Sequence, residues 1–272
     1  MRLKDKIAVV TGGGGGIGEG ICLCLAREGA HVVVSDVDME LAERVAAKVS
    51  ESGQKSLAVQ TDVRKADQCQ ALVDTAIKEF GGLDILVCSA GIMGFSNRDD
   101  SDAPLTIENM LESDWDMTID VNLKGVFLCN RAVIPYFKKR QAGKIINIAS
   151  VAGRQGVEFL APYAASKAGV INLSQAVALH MAPFSVNVNV ICPGIVWTPM
   201  WAQGVQVLTQ RSDNFKGVDP EMIFNGIVQT QIPLKRVQMP EDIGNAVVFL
   251  VSEEAKEITG QALNVCGGMK LN

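Results

Sequence analysis

Tyr163 and Lys167 stand four positions apart in a helix-period stretch, which puts a phenol and an ammonium on one helix face. A free phenol titrates near ~10 and is a poor base at neutral pH, but an ammonium one turn away favours the phenolate. Ser150 closes the apolar stretch 144–149, thirteen positions before Tyr163, and its hydroxyl can hold an alcohol or carbonyl oxygen beside the phenol. Such a set suits hydride transfer, with Tyr163 taking the hydroxyl proton as general base. A Tyr-x-x-x-Lys pair alone is weak, since any helix can carry one.

A hydride acceptor is implied by residues 11–18, which read Thr11-Gly12-Gly13-Gly14-Gly15-Gly16-Ile17-Gly18 between an apolar run and a helix-period segment. Glycines there permit a tight turn and let backbone approach a pyrophosphate at the helix amino terminus. The run satisfies GxGxxG, GxxxGxG and GxxGxxG at once, so it indicates a dinucleotide without choosing a subfamily. Asp36 ends the second apolar run, eighteen positions beyond Gly18. An acidic residue there accepts hydrogen bonds from the adenosine ribose and repels a 2′-phosphate. With no Arg or Lys in the glycine run and nothing nearby to pair with a phosphate, the cofactor expected is NAD rather than NADP. The alternative role for Asp36 is to cap the helix that begins near Met39. An oxidised nicotinamide would add to the charge favouring a Tyr163 phenolate.

The elements that must position these groups alternate regularly. Predominantly apolar runs occupy residues 7–10, 31–34, 56–59, 84–87, 144–148, 186–191 and 262–265, each but the last followed by a helical pattern. Strands that are apolar throughout are buried on both faces, so the pattern predicts a parallel sheet covered by helices. The fold expected is α/β, a doubly wound Rossmann-like sheet of about seven strands, in a single domain spanning 1–272. Two stretches break the rhythm. Residues 197–233 carry Trp197, Met200, Trp201, Phe215, Met222 and Phe224 in an irregular setting and are read as a substrate lid. Residues 93–109, with Arg98, Asp99, Asp100 and Asp102, are read as solvated.

Composition removes other classes. Of the 272 residues 48% are apolar and 20% charged, as in ordinary globular chains, and the net charge is −5. That balance argues against a nucleic-acid partner. No segment has the ~20 apolar residues of a membrane span, and the amino terminus lacks a secretory pattern. Two histidines exclude a His-built zinc site, and no metal is expected. Seven scattered cysteines, mostly inside apolar runs, read as buried thiols of a reducing cytoplasm.

Taken with Asp62-Val63, Val121-Asn122 and Pro193-Gly194, these motifs make the chain similar to the short-chain dehydrogenases/reductases in their single-domain form, over residues 6–269. The resemblance selects the TGxxxGxG register, with Gly12, Gly15, Gly16, Ile17 and Gly18 against the cofactor. It implies that Asp62 and Val63 line the adenine, that Ala90 and Gly91 pass beneath a ribose, and that Pro193, Gly194, Ile195 and Thr198 hold the carboxamide end. Tyr163 and Lys167 touch the cofactor as well. Asn122 joins Ser150, Tyr163 and Lys167 as a fourth catalytic residue, kinking its helix and anchoring a proton-relaying water. Cys88-Ser89 replaces the family's usual Asn-Asn, and Cys266 replaces a common aspartate, so altered local hydrogen bonding is expected. The function implied is NAD-dependent hydride transfer between a secondary alcohol and a ketone. A non-catalytic dinucleotide-binding subunit and an epimerase or dehydratase are the alternatives. The substrate wall expected comprises Ala152, Arg154, Val157, Phe159, Trp197, Met200 and Trp201. A homotetramer built on helices near 114–139 and 162–181 is also implied.

Overall fold

A strand of uninterrupted apolar residues needs cover above and below, and the arrangement of the chain follows from that need. The computed structural model describes residues 1–94, 106–211 and 217–272. Its strands are β1 (Ile7–Thr11), β2 (His31–Asp36), β3 (Ser56–Gln60), β4 (Ile85–Cys88), β5 (Gly143–Ile148), β6 (Val186–Pro193) and β7 (Ala262–Val265). They form one parallel sheet in the order β3-β2-β1-β4-β5-β6-β7. The expected fold class is therefore what is observed, with strand limits within one or two residues of those read from the apolar runs.

The helices are α1 (Gly16–Arg27), α2 (Met39–Glu51), α3 (Ala66–Phe80), α4 (Glu112–Ile119), α5 (Gly125–Arg140), α6 (Ala161–Met181), α7 (Pro199–Arg211), α8 (Pro220–Gln231) and α9 (Pro240–Val251). Period-2 geometry divides each strand between two cores. Ala8, Val10, Val32, Val34 and Val87 pack with Ile21 and Leu25 of α1, Val45 of α2 and Val247 of α9. Val9, Val33, Leu86, Ile145 and Val188 point the other way, onto Leu72 of α3, Val133 of α5 and Val170 of α6. Each such aliphatic side chain, fully buried, contributes roughly 1.5–3 kcal/mol.

Polar groups inside the second layer are paired. Asn130 of α5 donates to Asn147 Oδ1 on β5 at 3.0 Å, and Asn147 donates back at 3.3 Å and to Ser174 Oγ of α6 at 2.9 Å. Asn130 also lies 3.5 Å from the Cys88 sulfur. This is the hydrogen bonding found beside the Cys88-Ser89 departure. Near the carboxyl end, the Cys266 thiol donates to the Lys270 carbonyl at 3.4 Å.

The stretch 197–233 is more regular than expected, since α7 and α8 occupy most of it. Trp197, Trp201 and Phe224 meet ring to ring, with centroids 4.8–5.8 Å apart, and tie α7 to α8. Phe215 lies outside the described residues, as do Arg98, Asp99, Asp100 and Asp102. No helix among the described residues is long and apolar enough to cross a membrane.

Truncating Asn130 would leave the buried Asn147 carbonyl without its donor. Asn130→Ala is expected to lower unfolding stability by about 1–3 kcal/mol, measured by urea titration. A loss below about 0.5 kcal/mol would show that this pair contributes little to the fold.

Candidate active site

The chain runs outward from β1 to β3 and then crosses to β4 on the opposite side of β1. The connections that leave the carboxyl ends of β1 and β4 therefore run to opposite sides, and the crevice outside those ends is open to a ligand. The loop after β1 fits the space with no margin. Gly12 has φ +64°, and a Cβ built on it would stand 2.6 Å from the Ala90 Cα. One built on Gly18 would stand 1.9 Å from the Gly12 carbonyl oxygen. Around Gly15 the situation reverses, because its Cβ direction meets nothing within 4 Å. Gly15 is also the N-cap of α1 and supplies no side-chain acceptor, so the first amides of the helix are left to an anion. A pyrophosphate fits this cradle.

The cradle opens into a cavity of about 920 Å³. Of the residues singled out from sequence, Gly12, Gly15, Gly16, Ile17, Gly18, Asp36, Asp62, Val63, Ala90, Gly91, Ser150, Tyr163, Lys167, Pro193, Gly194, Ile195 and Thr198 all line it. Asn122 alone does not. It is fully buried within a π-helical turn (Asp120–Lys124) between α4 and α5. Its side chain accepts from the Ile92 N–H at 2.8 Å and donates to the Ile92 carbonyl at 2.9 Å and to Ser166 Oγ at 3.1 Å. Gly91 separates it from Lys167: a Cβ there would lie 3.3 Å from both Asn122 Oδ1 and Lys167 Nζ.

At the end of the cavity beside β2, the helix cap is Asp38, whose carboxylate accepts from the amides of Glu40 and Leu41 at 3.0 and 3.3 Å. Asp36 is not the cap and instead faces the cavity, accepting from the Gly14 N–H at 3.0 Å and the Asp38 N–H at 3.1 Å. The expectation that no cation stands near is corrected, because Arg44 and Arg64 both line this end. Arg64 grips Asp62 through its Nε at 2.9 Å and an Nη at 2.7 Å. That hydrogen bonding holds the Asp62 carboxyl below the usual carboxylate range. Sequence missed Arg44 because it stands eight positions beyond the strand end, inside α2, and its direction emerges only once α2 is laid down.

Ser150 caps a short 3₁₀ turn (Val151–Arg154), accepting from the Ala152 N–H at 3.1 Å. It is also hydrogen-bonded to Tyr163. Burial pushes the Tyr163 phenol above its ordinary value, and the Ser150 bond offsets this in part. The lowering expected from Lys167 is thus outweighed in the protein by itself. Lys167 Nζ stands 5.6 Å from the phenol ring centre and donates to the Ile148 carbonyl at 3.0 Å. Burial pushes its ammonium down to about 8. Burial thus drives the two groups apart in acidity: the phenol holds its proton more tightly and the ammonium releases its own more readily, so both are pushed toward their neutral forms.

The far end of the cavity is apolar. Ala152, Val157, Phe159, Met200 and Trp201 line it as expected, with Met93, Leu160, Val205, Ile227 and Met269 in addition. Two expected wall residues are elsewhere. Arg154 donates to the Ala262 carbonyl on β7, which draws its guanidinium away from the cavity. Trp197 packs into the aromatic group on α8. Gln155 and Gln231 also line this end, and Gln155 accepts from Lys270 Nζ at 3.0 Å.

The chain matches the family model described as short chain dehydrogenase over residues 6–207. The 3-oxoacyl-acyl-carrier-protein reductase FabG of Staphylococcus aureus is 39% identical over 265 residues, covering 97% of this chain and 98% of that protein. A crystal structure of an actinorhodin polyketide ketoreductase variant with NADPH has a TM-score of 0.87 and 33% identity, covering 99% of this chain and 98% of the other. NAD+-bound xylitol dehydrogenase also has a TM-score of 0.87, at 28% identity, covering 98% and 100%.

Lys167 carries a stability signature. Unfolded, its ammonium returns to an ordinary value near 10.5, while the folded value is about 8. Between those values the unfolded chain binds more protons, so this group raises stability as pH climbs through the window. Below it the buried charge costs about 3 kcal/mol. The melting temperature of Lys167→Met relative to the parent is expected to be highest near pH 7 and to fall steadily toward pH 10.5. A difference that stays flat with pH would sink this account.

Proposed function

The chain belongs to the short-chain dehydrogenase family, and we propose from that membership that it is an NAD-dependent oxidoreductase moving a hydride between a secondary alcohol and a ketone. The observation that carries this is the convergence of Ser150, Tyr163 and Lys167 on the same cavity wall as the glycine cradle. Bound there, a nicotinamide dinucleotide supplies the hydride acceptor or donor and, when oxidised, a positive charge. Gly12, Gly15, Gly16, Ile17 and Gly18 would hold its pyrophosphate, Asp36 its adenosine ribose, and Asp62 and Val63 its adenine. Ala90 and Gly91 would run beneath a ribose, and Pro193, Gly194, Ile195 and Thr198 would fix the carboxamide end. The Asp36 carboxylate is the reason for favouring NAD.

In alcohol oxidation Ser150 holds the substrate oxygen and Tyr163 accepts its proton; in ketone reduction the same phenol returns it. Lys167, charged below about pH 8, stabilises the phenolate against the burial that opposes it. Asn122 fixes the Ile92 backbone from behind and, with Lys167 on the far side of Gly91, carries the relay that returns Tyr163 to its starting state. The wall of Met93, Val157, Phe159, Met200 and Trp201 suits an apolar, ring-bearing substrate. Residues 197–233 act as the lid of a single catalytic domain, since α7 supplies Met200, Trp201 and Val205 to the wall and α8 supplies Ile227.

Exposed Phe127 on α5 and Leu179 on α6, the latter 80% accessible, suit burial against further copies in a homotetramer. Seven unpaired thiols suit a reducing, cytoplasmic setting.

Tyr163→Phe keeps the ring and removes the proton carrier. It is expected to lower kcat at least about 100-fold with a panel of secondary alcohols, followed by absorbance of reduced nicotinamide, while NAD affinity by calorimetry stays within about threefold. Turnover that survives the substitution would overturn the mechanism.

A further inference from the structure

The backbone of Gly14 is held by opposite charges at its N–H and its carbonyl. Its N–H donates to Asp36 Oδ2 at 3.0 Å, and its carbonyl accepts from an Arg44 Nη at 2.8 Å. The same nitrogen donates to Glu19 Oε2 of α1 at 3.0 Å. Lys48, one turn further along α2, donates to the other Glu19 oxygen at 2.6 Å. Asp36 and Arg44 both line the cavity, and the Arg44 side chain keeps 46% of its surface accessible.

We propose that Arg44 is a specificity-determining residue of the cofactor site: its guanidinium is the counter-charge that admits a dinucleotide bearing a 2′-phosphate beside Asp36. The inference rests on the dinucleotide reading above and concerns how sharply that site separates NAD from NADP. A phosphate entering against the Asp36 carboxylate meets one repulsive charge. Because Asp36 and Arg44 both bond the backbone of the one residue Gly14, it also meets an attractive charge close by, and the attraction offsets part of the repulsion. A guanidinium offers planar, paired donors that match phosphate oxygens.

Arg44 is free to make that exchange. If it swings from Glu19 to a phosphate, Lys48 still holds the Glu19 carboxylate, so no charge is orphaned. Arg64, the other guanidinium at this end, is committed to Asp62 by a forked pair and a backbone-linked turn. The sharing of Arg44 between a carbonyl and Glu19 therefore sets how readily the site turns toward a 2′-phosphate. Asp36 favours NAD; Arg44 limits the margin.

Isothermal titration of NAD and NADP onto the intact protein, in the parent and two variants, tests this without reference to turnover. Arg44→Gln is expected to weaken NADP about tenfold or more while NAD changes less than about threefold, tenfold corresponding to 1.4 kcal/mol. Glu19→Gln leaves Arg44 in place but releases it, and is expected to tighten NADP about threefold; this variant also decides the matter if Arg44→Gln fails to fold. Equal weakening of both dinucleotides by Arg44→Gln would show that Arg44 merely holds the glycine loop, and the proposal would fall. NAD binding with an NADP affinity that neither variant moves would overturn the proposal and leave the functional assignment standing. Failure of the parent to bind either dinucleotide would remove both.

Discussion

Just beyond the carboxyl ends of β1 and β4, the backbone of Gly12 lies against Ala90 with no room for a side-chain carbon between them. That close approach sets the distance from the glycine loop to the strand beside it, and the rest of the cavity is arranged around the gap. On one side, α1 starts with uncapped amides facing the opening. On the other, Gly91 separates Lys167 from Asn122 by the width of a backbone. The contact is possible only because both strands belong to one parallel sheet whose faces are fully covered, leaving carboxyl ends as the accessible edge.

Burial has opposite chemical effects along this edge. It makes the strands cohere, and it makes the Tyr163 phenol and the Lys167 ammonium poor hosts for charge. Ser150 and the Ile148 carbonyl are the groups that moderate this, one by hydrogen-bonding the phenol and one by accepting from the ammonium. The opposite end differs because it is densely charged, with Asp36, Asp62, Arg44 and Arg64 all lining it. Charged and apolar surface are thus separated along one cavity.

Much of this was legible before any coordinates. Uninterrupted apolar runs such as residues 32–34 point to strands hidden on both faces, so the parallel sheet followed from residue type. Ser150, Tyr163 and Lys167 were found because local spacing places them at a strand end and on one helix turn. What escaped were contacts between elements distant in sequence. Arg44 reaches Gly14 only after α2 is docked beside α1, and Arg154 turns to the Ala262 carbonyl because β7 closes the sheet there. The Asn130–Asn147 pair was equally invisible, since two asparagines seventeen residues apart carry no periodic signal. The stretch 197–233 looked irregular because α7 and α8 bury an aromatic group against each other rather than a single apolar stripe on the sheet.

The buried ammonium of Lys167 has a bearing on how this chain would respond to selection. A charge kept in place at a cost of about 3 kcal/mol is a drain that folding alone would discard. A library screened only for heat resistance would enrich apolar replacements at position 167, and under the mechanism proposed above its winners would be robust and inert. Under that mechanism, screening for turnover would hold Lys167 in place and push the compensating gains into the outer faces of α2, α3 and α9, away from the cavity.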